Sequence, residues 1–319
     1  MGARPAIATL GAVRAPEALA AGRATRALGL MQLRRVITVS IFGAALAAAA
    51  LVGVGAYLSA AVHSKIGDAP PELHATTVHI PTSSGGTVVG WFARGQPGLG
   101  AILLLHGVRA NRLDMLDRAR FLERAGYSVL LIDLPGHGES TGDRITFGAR
   151  EGAGVSAALG FLRHDLPGER LGVIGQSLGA ASLVLARPRP APEAVILESM
   201  YPTIEEAVAD RLVIRFGPAG ARLSPLLLWQ LPIQLGVSAS ELRPIDKIAT
   251  LGSPVLIASG TTDEHTSWVE TRRIYSAASP PKELWAVKGA AHVDLYRYAT
   301  KEYEVRVLRF FSKYLRHEA

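Results

Sequence analysis

Two stretches of this chain, Ala101-Ile-Leu-Leu-Leu and Val129-Leu-Leu-Ile, are continuously apolar rather than alternating. Alternation marks a strand with one wet face, whereas a short unbroken run bounded by turn residues marks a strand covered on both faces. Such strands belong to a sheet sandwiched between helices, and the chain beyond residue 73 keeps that pattern. Strand candidates fall at Thr76–Ile80, Thr87–Ala93, Ala101–His106, Ser128–Asp133, Leu171–Gly175, Ala194–Ser199, Pro254–Ser259 and Glu283–Lys288. The expected fold class is therefore α/β, with an eight-stranded, mostly parallel sheet and helices on both faces. Ser83-Ser84-Gly85-Gly86 splits the first two candidates, a turn signal that predicts an antiparallel start. Leu113, Leu116, Ala119 and Leu122 predict a helix closed by Gly126. Val305, Leu308, Phe311 and Leu315 predict a terminal helix, with Glu302 and Arg306 spaced for an ion pair.

One segment breaks the alternation. Between Tyr201 and Leu251 no strand pattern appears, and an insertion at about 203–250 is expected to form a small helical cap over the C-terminal edge of the sheet. Leu223–Ser240 within it is free of charge and carries Leu226, Leu227, Leu228, Trp229, Leu231, Ile233 and Leu235. These residues are expected to pack the cap, to line an apolar pocket, or to rest on a membrane. Pro225 and Pro232 argue against a membrane span here.

The N-terminal region differs in kind. Val36 to Ser64 contains no Lys, Arg, Asp or Glu, and its apolar core is long enough to cross a bilayer. Arg34 and Arg35 precede it, so the positive-inside rule expects a cytoplasmic N-terminus and everything after Lys65 on the extracytoplasmic side. Small residues at Ser59, Ala60 and Ala61 resemble a processing site, so 36–63 reads either as a transmembrane anchor or as a signal peptide. Residues 1–35 hold six Arg against one Glu and read as a basic disordered tail, with Met31 a candidate start. That tail carries +5 of the net charge of +7, leaving no nucleic-acid footprint on residues 73–319. The absence of cysteine excludes thiol nucleophiles, disulfides and cysteine-ligated metals.

Chemistry concentrates at Gly175-Gln176-Ser177-Leu178-Gly179, which follows the apolar run Leu171-Gly-Val-Ile and opens an Ala-rich helical segment. This is the strand–turn–helix setting that G-x-S-x-G requires, with glycines making room for a sharp turn that presents a serine hydroxyl. A serine needs a base held by a carboxylate. Among nine histidines, His292 follows the last strand on a loop at the same sheet edge, and Asp263 follows the strand before it. Glu198 also ends a strand at that edge and is the alternative acid.

With these motifs the chain, over about residues 73–316, resembles the α/β-hydrolase superfamily. Leu105-His106-Gly107-Val108 is similar to its oxyanion loop, Asp133-Leu-Pro-Gly136-His137-Gly138-Glu-Ser140 to its G-H-G-x-S turn, and Gly175–Gly179 to its nucleophile elbow. The resemblance implies that the backbone N–H groups of Val108 and Leu178 bind the oxyanion. Where many lipases carry glycines after the histidine, this chain has Val108-Arg109-Ala110-Asn111. Within the superfamily it looks most like membrane-anchored, serine-peptidase-like or lysophospholipase-like hydrolases. The expectation is a membrane-tethered serine hydrolase acting on small-molecule or lipid esters, needing no metal or organic cofactor. A small-substrate amidase or peptidase and a non-catalytic binding protein of the same fold are the alternatives. The propeller-bearing oligopeptidases are excluded by length.

Overall fold

The computed structural model describes residues 15–316, with side chains from residue 26 onward. It divides into two units, up to Val54 and from Gly55. The first is formed by helix α1 (Ala15–Leu58), whose last turn belongs to the second unit. Its segment Arg26–Leu58 is long and apolar enough to cross a membrane, with a mean hydropathy of 2.2 in its most apolar window, none of it buried. A signal sequence has the same properties. The helix starts well before Val36, so the expected disordered tail is helical from Ala15. Ala, Leu and Arg are the strongest intrinsic helix formers and dominate that stretch. Residues 1–14 lie outside the described part.

The second unit is built on eight strands: β1 Thr76–Pro81, β2 Thr87–Ala93, β3 Ala101–Leu105, β4 Ser128–Ile132, β5 Leu171–Gln176, β6 Ala194–Glu198, β7 Val255–Gly260 and β8 Lys282–Val287. They are ordered β1-β2-β4-β3-β5-β6-β7-β8, and only β2 runs against its neighbours. The unbroken apolar runs end up where their pattern requires, every residue of β3 and β4 being buried. Helices α3 (Glu151–Asp165), α4 (Leu178–Ala186) and α8 (Trp268–Ala277) cover one face, and α2 (Leu116–Arg124), α9 (Leu295–Tyr298) and α10 (Thr300–Leu315) the other. On α10 the buried face is Tyr303, Val307, Phe310, Phe311 and Leu315, while Val305 is exposed. The stripe expected from aliphatic spacing is thus rotated, because Tyr303 and Phe310 supply more apolar area to bury than Val305 does.

The domain begins earlier than the expected boundary at residue 73. Val62–His63 pairs in parallel with His137–Gly138, Ile145 N–H donates to Ser59 O (2.8 Å), and Glu139 accepts from Ile66 and Gly67 N–H. Between β6 and β7 the insertion is helical, with α5 (Ile204–Phe216), α6 (Ser224–Leu228) and α7 (Leu231–Leu235). Ile204, Leu231, Leu235, Val237 and Leu242 give it a small core of its own.

Candidate active site

The turn after β5 is held by close approach. A Cβ on Gly175 would lie 2.6 Å from Ala180 N, and one on Gly179 would lie 2.6 Å from Leu105 O, so neither position admits a side chain. Ser177 stands between them as the N-cap of α4 with φ 48° and ψ −107°. A non-glycine residue there is strained, and the surrounding contacts hold it, including Ser177 N–H donating to Glu198 O (2.8 Å). The serine is 5% exposed and faces a cavity of about 180 Å³ whose wall includes Val108, Phe147, Leu178 and Tyr201.

Past β7, the buried Asp263 carboxylate accepts from Thr266 and His265 N–H through Oδ1 (both 2.9 Å) and from His292 Nδ1 through Oδ2 (2.8 Å). Burial alone would raise this carboxyl. The His292 hydrogen bond and charge, with the two N–H donors, outweigh that and hold it below the usual carboxylate range. The bond to Nδ1 fixes the tautomer in which His292 Nε2 carries a free lone pair. The structure thus brings Asp263 and His292 together, and places Ser177 at the same C-terminal sheet edge. Among the described residues Ser177 Oγ makes no hydrogen bond to His292. Catalytic contacts of this kind are often long before a substrate binds.

Two histidines shape the neighbouring loop. His106 Nε2 accepts from Leu134 N–H (3.0 Å), and its Nδ1 donates to Gly107 O (2.7 Å). His137 Nε2 accepts from Arg109 N–H (3.1 Å), and its Nδ1 donates to Pro135 O (3.1 Å). Both roles need a neutral ring. Burial supplies it, pushing His106 down to about 3 and lowering His137. The N–H groups of Val108 and Leu178 find no acceptor among the described residues, the latter because it opens α4.

A sequence model of the alpha/beta hydrolase family matches residues 102–303. The chain belongs to that family. The uncharacterized protein YqkD of Bacillus subtilis is 24% identical over 245 residues, covering 76% of this chain and 80% of its own. An uncharacterized protein of Mycobacterium tuberculosis is 30% identical over 220 residues, covering 68% and 72%. Among solved structures an esterase of Pyrococcus furiosus superposes with a TM-score of 0.68 at 22% identity, over 80% of this chain and 98% of its own, a likeness of fold.

In this alpha/beta hydrolase Glu198 is not brought to His292. It is fully buried, takes Arg118 Nη2 on Oε2 (2.7 Å) and the Tyr303 hydroxyl on Oε1, and shares Arg118 with Asp294 (2.9 Å). The alternative acid is thus tied into the far face of the sheet. Of the three roles expected for Leu223–Ser240, none of its side chains lines the Ser177 cavity: Leu226, Trp229 and Ile233 are exposed, and Leu227, Leu228 and Leu231 line an adjoining cavity of about 50 Å³ that shares Leu58, Phe147, Ile204 and Val208 with it. Helix α5 instead roofs Ser177, through Ile204, Ala207, Val208 and Arg211.

His265 had no sequence signal beyond its nearness to Asp263. Its ring lies 4.9 Å from that of His292, and burial, together with the His292 charge, pushes it down to about 4. Donor atoms of Asp263, His265 and His292 lie within 4.8 Å of one another, a set that a divalent ion could take. Binding an ion there would compete with the Asp263–His292 hydrogen bond.

Proposed function

We propose that this alpha/beta hydrolase family member is a serine esterase that cleaves carboxylic esters through an acyl-enzyme and is held at a membrane by α1. The observation that carries the reading is the strained Ser177 at the N-terminus of α4, on the sheet edge where His292 is oriented by Asp263. In the first step His292 Nε2 takes the proton of Ser177 Oγ as the oxygen attacks the ester carbonyl. Asp263 holds the imidazole and stabilises the imidazolium that forms. The developing oxyanion lies against the Val108 and Leu178 N–H groups and the α4 N-terminus, where one donor is worth about 10²–10³ in rate. His292 then returns the proton to the leaving alcohol. Water, activated by the same histidine, releases the acid.

The largely apolar cavity favours esters with an apolar acyl chain, including lipid esters, over short polar substrates. With Arg34 and Arg35 on the cytoplasmic side of α1, the catalytic unit lies on the extracytoplasmic side. Protease digestion of intact spheroplasts is expected to degrade it, and protection until lysis would reverse that topology.

The test of the chemistry is an active-site-directed fluorophosphonate. Wild-type protein is expected to be labelled at Ser177, while Ser177→Ala loses labelling and about 10⁴–10⁶ in turnover with little change in Tm. Near-wild-type turnover by Ser177→Ala would overturn the mechanism.

A further inference from the structure

Two fully buried arginines and two that line the Ser177 cavity differ in what they are paired with. Arg112 and Arg118 are fully buried and neutralised, the first by Asp133 and Glu139, the second by Glu198 and Asp294. Arg211 and Arg109 are different. Arg211, on α5, is half-buried in the roof of the Ser177 cavity, and no carboxylate lies within ion-pair distance of it among the described residues. Its one hydrogen bond among the described residues is Nη1 to Ala207 O (2.7 Å), one turn back in its own helix. Arg109, next to Val108, borders the same cavity from its exposed side. It rests over the Tyr57 ring at 4.9 Å, with Nη1 donating to Tyr57 O (3.3 Å).

A guanidinium offers five N–H donors in a planar fork. Arg211 therefore keeps most of its donors unspent among the described residues, beside the apolar wall of the Ser177 cavity. Its pKa is lowered from the ordinary value by burial, which Tyr201, Asp210 and Asp263 only partly offset. A guanidinium that lines an apolar cavity with no carboxylate beside it presents its planar fork to an oxyacid entering that cavity. The adjacent acid is turned elsewhere. Asp210 faces Glu270, and burial with that like charge pushes its carboxyl up to about 7.

We infer that the substrate carries an anionic oxyacid group, a carboxylate or a phosphate, which Arg211 binds in the cavity roof with Arg109 at the rim. This rests on the serine esterase reading and narrows it to anionic esters. The apolar walls receive the hydrocarbon part, and the planar fork of Arg211 matches either oxyacid in a bidentate fashion.

The experiment uses the full-length chain in neutral detergent and two matched substrate pairs. One is p-nitrophenyl butyrate against the mono-p-nitrophenyl ester of glutaric acid. The other is monooleoylglycerol against its 3-phosphate. Wild type is expected to show a higher kcat/KM for the anionic member of at least one pair, and the pair that does so identifies the oxyacid. Arg211→Met is expected to cut that anionic-to-neutral ratio about 10- to 100-fold, mainly through KM, with Arg211→Lys between the two. Because both members are measured on one preparation, a partly unfolded variant lowers them together and leaves the ratio unchanged. A ratio unchanged in Arg211→Met, or a wild-type preference for the neutral member in both pairs, overturns the anion site while fluorophosphonate labelling upholds the esterase. No turnover of any of the four esters, with no labelling, overturns both.

Discussion

The ends of β6 and β7 lie side by side on one sheet edge, and each delivers a carboxylate, yet the two carboxylates have opposite surroundings. Glu198, at the end of β6, faces Arg118 and Tyr303 and is sealed from solvent. Asp263, just past β7, is equally buried on its own side, but its partner His292 remains partly accessible. A permanent cation consumes the first carboxylate, because a buried Arg–Glu pair has no reason to open. The second carboxylate instead orients an imidazole, accepting from His292 Nδ1 and leaving its Nε2 free. Position on the sheet makes a candidate acid; the partner decides what it does.

The comparison breaks most directly at Asp263. Asp263→Asn is expected to lower the esterase rate about 10⁴-fold by favouring the wrong His292 tautomer, with Tm nearly unchanged since the amide oxygen can still accept from Thr266 and His265 N–H. Glu198→Gln is expected to invert the pattern. Leaving Arg118 short of charge in a dry site costs about 3 kcal/mol, a fall in Tm of roughly 6–12 °C, while the folded fraction keeps most of its rate. Reversed outcomes would move the acid to Glu198.

A third carboxylate sharpens the contrast because its neighbour is another acid. Asp210 is raised from 3.8 to about 7 by burial and by Glu270, so between those pH values the folded chain holds a proton that the unfolded chain has released. Stability therefore falls as pH rises from about 4 to 7 and levels off above. Asp210→Asn removes that dependence. Discounted for its partial exposure, the gain is about 1–2 kcal/mol at pH 8 and near zero at pH 4, read from urea unfolding at both. The smallest effect belongs to Trp229, which is exposed and does not line the Ser177 cavity. Trp229→Ala should change stability by less than about 0.5 kcal/mol and treat short and long esters alike.

The sequence carried the sheet because its signal is local: an unbroken apolar run such as Ala101–Leu105 identifies itself without reference to anything else. Val62–His63 did not show, since two residues have no period. The elbow was legible for the same local reason, two glycines at fixed spacing around Ser177. Asp263 and Glu198 looked alike because what separates them, Arg118 and Tyr303 against His292, is distant in the chain. Arg211 was invisible in the same way. No carboxylate of the described residues lies within ion-pair distance of it, and a missing contact leaves no mark on the sequence.

The segment from Ser59 to Gly67 also decides where the chain can be cut. It adds a short strand to the G-H-G turn, with Val62 N–H on Gly136 O, Ser64 N–H on Gly138 O and His63 Nε2 on Gly142 O. That turn carries His137, which in turn holds the Arg109 amide next to Val108. A truncation starting beyond residue 66 would therefore shed an apolar helix together with a brace of the Val108–Arg109 loop. One that retains Ser59 onward keeps the brace, so a soluble form of this domain should be cut ahead of Ser59.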